Sequence, residues 1–126
     1  MQIIKTYISD LLIIQPSVFK DPRGYFFESY NKQQFLQHGI DVEFVQDNQS
    51  LSQSGVLRGL HFQHPPHSQG KLVRVINGAV LDVAVDIRKN SATYGKYFSI
   101  ELNEENKTML WIPSGFAHGF LTLKDN

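Results

Sequence analysis

The chain has no cysteine, which excludes disulfides and thiolate metal centres. It has no charge imbalance either: 12 Lys and Arg residues stand against 12 Asp and Glu. Nothing in that balance draws the protein to nucleic acid or to an anionic membrane surface, so any anion it binds must be held by local cations. No apolar run is long enough to span a bilayer. Met1-Gln2-Ile3-Ile4-Lys5-Thr6 lacks the basic region, apolar core and small-residue cleavage site of a signal peptide. A soluble, cytoplasmic protein is expected. No repeat, low-complexity tract or interdomain linker is visible, and 126 residues fit one domain, 1–126, with room for a core.

What is present is mostly strand. Ala79-Val80-Leu81-Asp82-Val83-Ala84-Val85-Asp86-Ile87 puts Leu81, Val83, Val85 and Ile87 on one face and Asp82, Ala84 and Asp86 on the other, a period of two. Phe98, Ile100 and Leu102 alternate with Tyr97, Ser99 and Glu101 in the same way. Asn77-Gly78 signals a tight turn between two apolar runs. One helix is expected from Lys32 to His38, with Asn31 as its cap and Gly39 as its stop. Many short strands with little helix argue for a sandwich or barrel. His64-Pro65-Pro66-His67-Ser68 reads as a short stiff loop, because two prolines fix backbone angles and remove donors.

The most informative segment is Val56-Leu57-Arg58-Gly59-Leu60-His61-Phe62-Gln63. It reads as a buried strand that carries an arginine, a histidine and a glutamine. Burying an unpaired amide or hydroxyl costs roughly 2–7 kcal/mol, so such a strand is expected to line a wet cavity. Gln69-Gly70-Lys71-Leu72-Val73-Arg74-Val75 and Trp111-Ile112-Pro113-Ser114-Gly115-Phe116-Ala117-His118-Gly119-Phe120 are the other polar segments, and one pocket built from several strands is expected. Arg58 and His61 are an odd number of residues apart, so a regular strand sends them to opposite faces. A bulge near Gly59 would turn both inward, and without one either Arg58 or His61 lies outside the pocket.

Pro113 to His118 resembles the second motif of the cupins, small jelly-roll barrels. Their first motif carries a His-x-His pair and a later carboxylate, which with the last histidine hold a metal. Here His61 is followed by Gln63, and Lys71 falls near the carboxylate position. An ammonium there repels a cation and only donates hydrogen bonds, so no metal and no cofactor are expected. A cavity with His61, Lys71, Arg58 and His118 suits proton abstraction beside a carbonyl. Histidine titrates near neutral pH and serves as a base, and an ammonium stabilises the enolate oxygen that then develops. Asp21-Pro22-Arg23-Gly24-Tyr25-Phe26-Phe27-Glu28-Ser29-Tyr30 is a turn before a strand. Its Arg23 suits a phosphate, and Phe26, Glu28 and Tyr30 share a face that suits a base. Standing alone, the segment reads as an exposed hairpin with a surface salt bridge. In Gln46-Asp47-Asn48-Gln49, Gln46 and Asn48 share a parity and suit a sugar or nucleotide, or simply form a polar loop.

Taken in order, these segments resemble the dTDP-4-dehydrorhamnose 3,5-epimerases: Asp21-x-Arg23-Gly24-x-Phe26-x-Glu28, Gln46-Asp47-Asn48, Val56 to His61, Gln69 to Val75, Asp82-Val83-Ala84-Val85-Asp86-x-Arg88, and Trp111 to Phe120. The resemblance implies an all-β, cupin-type jelly-roll barrel with one short helix. It implies a homodimer whose N-terminal segments reach the neighbour's site. It implies a metal-free epimerase that inverts C3 and C5 of dTDP-4-dehydro-6-deoxy-D-glucose on the way to dTDP-L-rhamnose. His61 would be the base and Lys71 the enolate stabiliser, while Arg23, Glu28, Gln46, Asp47, Asn48, Arg58 and His118 would contact substrate. Family members run some tens of residues longer. Their proton-donating tyrosine, and the aspartate that orients the catalytic histidine, lie beyond the point matching Asn126. Tyr25, Tyr30, Tyr94 and Tyr97 are poor replacements for the donor, so a loss of activity is expected of this form. Two other readings stand beside the epimerase: a non-catalytic dTDP-sugar-binding module, and a cupin that moves one proton instead of two.

Overall fold

The computed structural model describes residues 1–63 and 70–125; the His64 to Ser68 loop lies outside them. Ten strands and one helix follow in the order β1 (Gln2–Lys5), β2 (Leu12–Gln15), β3 (Val18–Asp21), β4 (Gly24–Phe27), α1 (Lys32–Gln37), β5 (Leu57–His61), β6 (Lys71–Arg74), β7 (Ala79–Asp86), β8 (Tyr97–Asn103), β9 (Met109–Ile112) and β10 (Phe116–Lys124). Two four-stranded sheets, ordered β1-β2-β9-β6 and β5-β10-β7-β8, pack as a jelly-roll sandwich, and β3 and β4 form a separate hairpin. Each pairing is antiparallel.

The core between the sheets follows the period of two. Val80 and Ala84 of β7, Leu102 of β8, Leu110 and Ile112 of β9 and Phe116 of β10 form one buried cluster with Ile8 and Leu11. The alternate residues of β9, Met109 and Trp111, point the other way and join Ile14, Phe35 and Ile40 in a second cluster. This explains why Met109-Leu110-Trp111-Ile112 is apolar at every position: both faces of β9 are covered. Helix α1 supplies the cover through Phe35. Its start is as expected, with the Asn31 side chain accepting a hydrogen bond from the Gln34 N–H at 3.0 Å. The helix stops at Gln37, one residue before His38, and Gly39 takes the left-handed conformation (φ 85°) that ends it.

The structure settles two points that strand periodicity leaves open. In β7 the face bearing Asp82, Ala84 and Asp86 is the buried one, while Leu81, Val83 and Val85 are only half-buried. The Asn77-Gly78 turn is present, with Gly78 at φ 86°, but it does not close a hairpin. It hands the chain from β6 in one sheet to β7 in the other.

Asp86 shows how a carboxyl sits at 0% exposure. It accepts from Arg88 Nε and Nη2 at 3.0 Å each, from Ser91 Oγ at 2.6 Å and from Thr93 Oγ1 at 2.5 Å. The Arg88 backbone N–H adds another at 3.0 Å. Arg88 also reaches Asp10 at 3.2 Å and lies over the Phe116 ring. The cluster bolts the loop after β7 to the start of β10. Burial pushes the Asp86 carboxyl up, but these donors outweigh it and hold the group far below the usual carboxylate range. A depressed folded value means stabilisation that is present above the unfolded value and lost as pH falls through the folded one. Asp86→Asn should therefore cost about 3 kcal/mol at neutral pH. The gap between parent and variant should narrow below about pH 4. Urea melts of both proteins at several pH values check this; a gap that does not change with pH would contradict it.

Candidate active site

The polar strand β5 is not buried. All five of its residues are exposed, because it pairs with β10 on one side only and forms the edge of its sheet. Its polar side chains therefore need no dry core. The parity problem is solved by an extra residue. His118 faces His61 and Phe120 faces Arg58, so two steps along β10 match three along β5. Directly opposed residues of an antiparallel ladder point to the same side. The bulge therefore turns both His61 and Arg58 toward the side of His118 and Phe120, the inner side of the sandwich.

Glycine makes the bulge possible. Gly59 has φ 103°, and a Cβ there would stand 2.7 Å from both Gly119 Cα and the His118 carbonyl oxygen. A Cβ on Gly119 would stand 2.6 Å from the Arg58 carbonyl oxygen. The two backbones touch where side chains would otherwise separate them. Arg58 is then held by Ser52, whose hydroxyl accepts from Nε at 2.9 Å, and by the Leu51 carbonyl at 3.4 Å from Nη2.

The facing sheet contributes Lys71. Its ladder partner is Ile112, an inward core residue, so Lys71 enters the same space, half-buried. On β7, Asp82 is wholly buried and its Oδ1 lies 2.7 Å from His118 Nε2. Burial pushes the Asp82 carboxyl above its usual value; the hydrogen bond with His118 and the charges of His118 and Lys71 pull against that without overcoming it. His61, His118, Asp82 and Lys71 thus converge from β5, β10, β7 and β6. Chemically the set offers imidazoles beside an ammonium, suited to moving a proton next to a carbonyl. Among the described residues no three His, Asp or Glu side chains form a group fit to hold a metal ion.

The model of the family described as dTDP-4-dehydrorhamnose 3,5-epimerase matches residues 5–126. The chain belongs to that family. The relative of that name from Shigella flexneri is 59% identical over 126 residues, covering 99% of this chain and 70% of the relative. The one from Escherichia coli K12 is 56% identical, covering 99% and 68%. Among solved structures, a Bacillus anthracis dTDP-4-dehydrorhamnose 3,5-epimerase with TDP and pyrophosphate bound superposes at a TM-score of 0.96 with 45% identity, over 98% of this chain and 71% of that one. A Legionella pneumophila epimerase in complex with dTDP-4-keto-L-rhamnose gives 0.94 with 52% identity, over 98% and 65%. The cupin-type jelly roll expected from sequence is the fold of this family, and the chain adopts it.

Not every residue singled out from the epimerase pattern reaches the His61 group. Arg23 sits at the tip of the β3–β4 hairpin, 90% exposed and paired with Asp21 at 2.7 Å. Glu28 is exposed and lies past the end of β4. Tyr30 does not continue a face with Phe26; it packs edge-on against Phe35 and Phe44. Gln46, Asp47 and Asn48 lie in an irregular exposed segment, with Gln46 donating to the Asn48 side chain at 3.3 Å. Gln46 shares a cleft with Gly70 and Trp111, next to Lys71. Asp82 was missed: an aspartate in an alternating strand reads as a solvent-facing residue.

The glycine contact has a direct consequence. Gly119→Ala places a methyl against backbone that has no rotamer to yield, and should destabilise the protein by about 1–3 kcal/mol. Chemical denaturation reads this; a midpoint equal to the parent's would mean that the bulge does not depend on the contact.

Proposed function

We propose that this chain is a metal-independent epimerase that inverts C3 and C5 of dTDP-4-dehydro-6-deoxy-D-glucose, giving dTDP-4-dehydro-L-rhamnose in dTDP-L-rhamnose biosynthesis. The observation that carries this reading is the match of residues 5–126 to the epimerase family. Its support in the fold is the bulge that turns His61 and Arg58 to one side. In this reading His61 takes the proton from C3 or C5, and the electron pair moves onto the C4 oxygen. The Lys71 ammonium meets the charge that grows there. An acid on the opposite face returns a proton to carbon and completes the inversion. Arg58 and His118 contact the sugar. Arg23, Glu28, Gln46, Asp47 and Asn48 belong to the nucleotide end, with Arg23 gripping the pyrophosphate.

The exposed β3–β4 hairpin supports a homodimer in which Arg23 and Glu28 serve the neighbouring copy's site. Residues 1–126 form one cupin domain in this reading, acting in the cytoplasm with no nucleic-acid or membrane partner. No described helix is long and apolar enough to cross a membrane.

Incubation of dTDP-4-dehydro-6-deoxy-D-glucose with the protein in D2O tests the proposal. Label at both C3 and C5 is expected. Label at one carbon would make the protein a mono-epimerase, and no label with retained dTDP binding would make it a binding module. His61→Asn should slow exchange on the order of 10²–10⁴-fold with dTDP affinity preserved. Exchange at the parent rate in that variant would place the base elsewhere. Lys71→Ala should lower turnover, because its partner charge exists only as the proton leaves, whereas Arg23→Ala should weaken dTDP itself. Equal losses of dTDP affinity in the two variants would contradict these roles.

A further inference from the structure

Asp82 has no part in the reaction just described, yet it is the most deeply buried residue of that site. Its side chain is wholly buried, and Oδ1 makes the 2.7 Å bond to His118 Nε2. Oδ2 is also buried and has no hydrogen-bond partner among the described residues. The ladder neighbours of Asp82 are Phe120 on β10 and Ile100 on β8, which offer it no side-chain donor. The contrast with Asp86, four residues along the same face, is direct. There a buried carboxylate takes five hydrogen bonds; here one takes a single bond, and that bond is to an imidazole.

A neutral imidazole carries one N–H, and the hydrogen bond at one ring nitrogen decides the state of the other. An ionised carboxylate only accepts. It therefore requires the hydrogen on Nε2 and leaves the lone pair on Nδ1. A protonated carboxyl would impose the reverse. Burial favours the protonated form, and the charge of Lys71 across the sandwich favours the ionised one.

We propose that Asp82 is a positioning residue of the site: through its Oδ1–Nε2 bond it holds His118 with hydrogen on Nε2, so that Nδ1 presents a lone pair to a hydroxyl of the bound sugar. The proposal rests on the placement of His118 at the sugar in the function proposed above. The single orienting bond explains why a carboxyl stands where an apolar residue would complete the core around Phe120 and Ile100. It makes His118 an acceptor beside His61, its ladder partner on β5.

The test uses the whole chain with 15N-labelled histidine, the His118 signals being identified by their loss in His118→Gln. In the parent, Nε2 should be the protonated nitrogen and Nδ1 the bare one. Asp82→Asn can donate as well as accept, so the preference for the Nε2–H form should be lost. Affinity for dTDP-glucose should then fall about three- to tenfold. Affinity for dTDP alone should stay within about twofold, since the nucleotide makes no use of that hydrogen bond. Hydrogen on Nδ1 in the parent overturns the proposal without any variant, which covers a variant that does not fold. So does an Asp82→Asn protein that keeps the full gain in affinity from the sugar. A parent that binds neither dTDP nor dTDP-glucose removes the proposed function, and with it the sugar contact, while the tautomer still decides whether Asp82 orients His118.

Discussion

At Gly59 and Gly119 the backbones of β5 and β10 run so close that neither position has room for a Cβ. The site depends on this contact. It allows β5 one extra residue against β10, and that residue brings His61 and Arg58 to one side. Without it, strand alternation would send one of them outward. The bulge lies on an edge strand, where an irregular ladder disturbs one neighbour instead of two and where bulges are commonly found. The same edge position leaves β5 exposed, so its arginine and histidine keep access to water and to a ligand. The glycine contact, the edge and the polar side chains are therefore parts of one arrangement.

The inner face of β7 carries two buried carboxyls with opposite behaviour. Asp86 is held far below the ordinary range, whereas Asp82 is pushed above it. Both have 0% exposure, so burial alone does not separate them. The number of donors does. Asp86 is surrounded by a guanidinium, two hydroxyls and a backbone N–H, all from the loop it anchors. Asp82 has one imidazole bond and a distant ammonium. A buried carboxyl with full satisfaction locks a loop; one with a single bond is tied to that one partner. The fold thus keeps its fully bonded carboxyl at the end of β7 and its singly bonded one in the middle, beside the residues proposed to act on the sugar.

Much of the architecture was legible because strand and helix periods are local. The alternation in β7 and β8, the Asn31 cap and the Gly39 stop depend on neighbours in sequence, and all appear in the structure. Which face of β7 is buried was not legible. Leu81, Val83 and Val85 look like the core face, yet the sandwich buries Val80, Asp82, Ala84 and Asp86 instead, because donors of the following loop make Asp86 tolerable and the distant His118 gives Asp82 a partner. The burial assigned to β5 failed for a related reason: an edge and a centre strand can have similar sequences, and only the sheet order distinguishes them. The His61, Lys71 and His118 group was readable from residue chemistry, whereas Asp82 became visible only when its partner 36 residues away came within 2.7 Å.

The β3–β4 hairpin shows where a single chain stops being a sufficient frame. Its strands pair only with each other. Phe19 and Phe26 are 66% and 71% exposed on it. Among the described residues, Arg23, the residue best suited to a pyrophosphate, pairs only with Asp21 of the same turn. A hairpin of eight paired residues has little reason to hold its shape with its aromatic side chains in water, since isolated two-stranded ribbons are marginal. In the proposed homodimer a second copy laid against the hairpin would remove that difficulty, covering the aromatics and presenting Arg23 and Glu28 to the neighbouring site. The exposed hairpin is thus one ground for the homodimer in the proposed function. In that proposed dimer, a contact covering Phe19 and Phe26 would bring the proposed anion-binding end of the site to the proton-moving end.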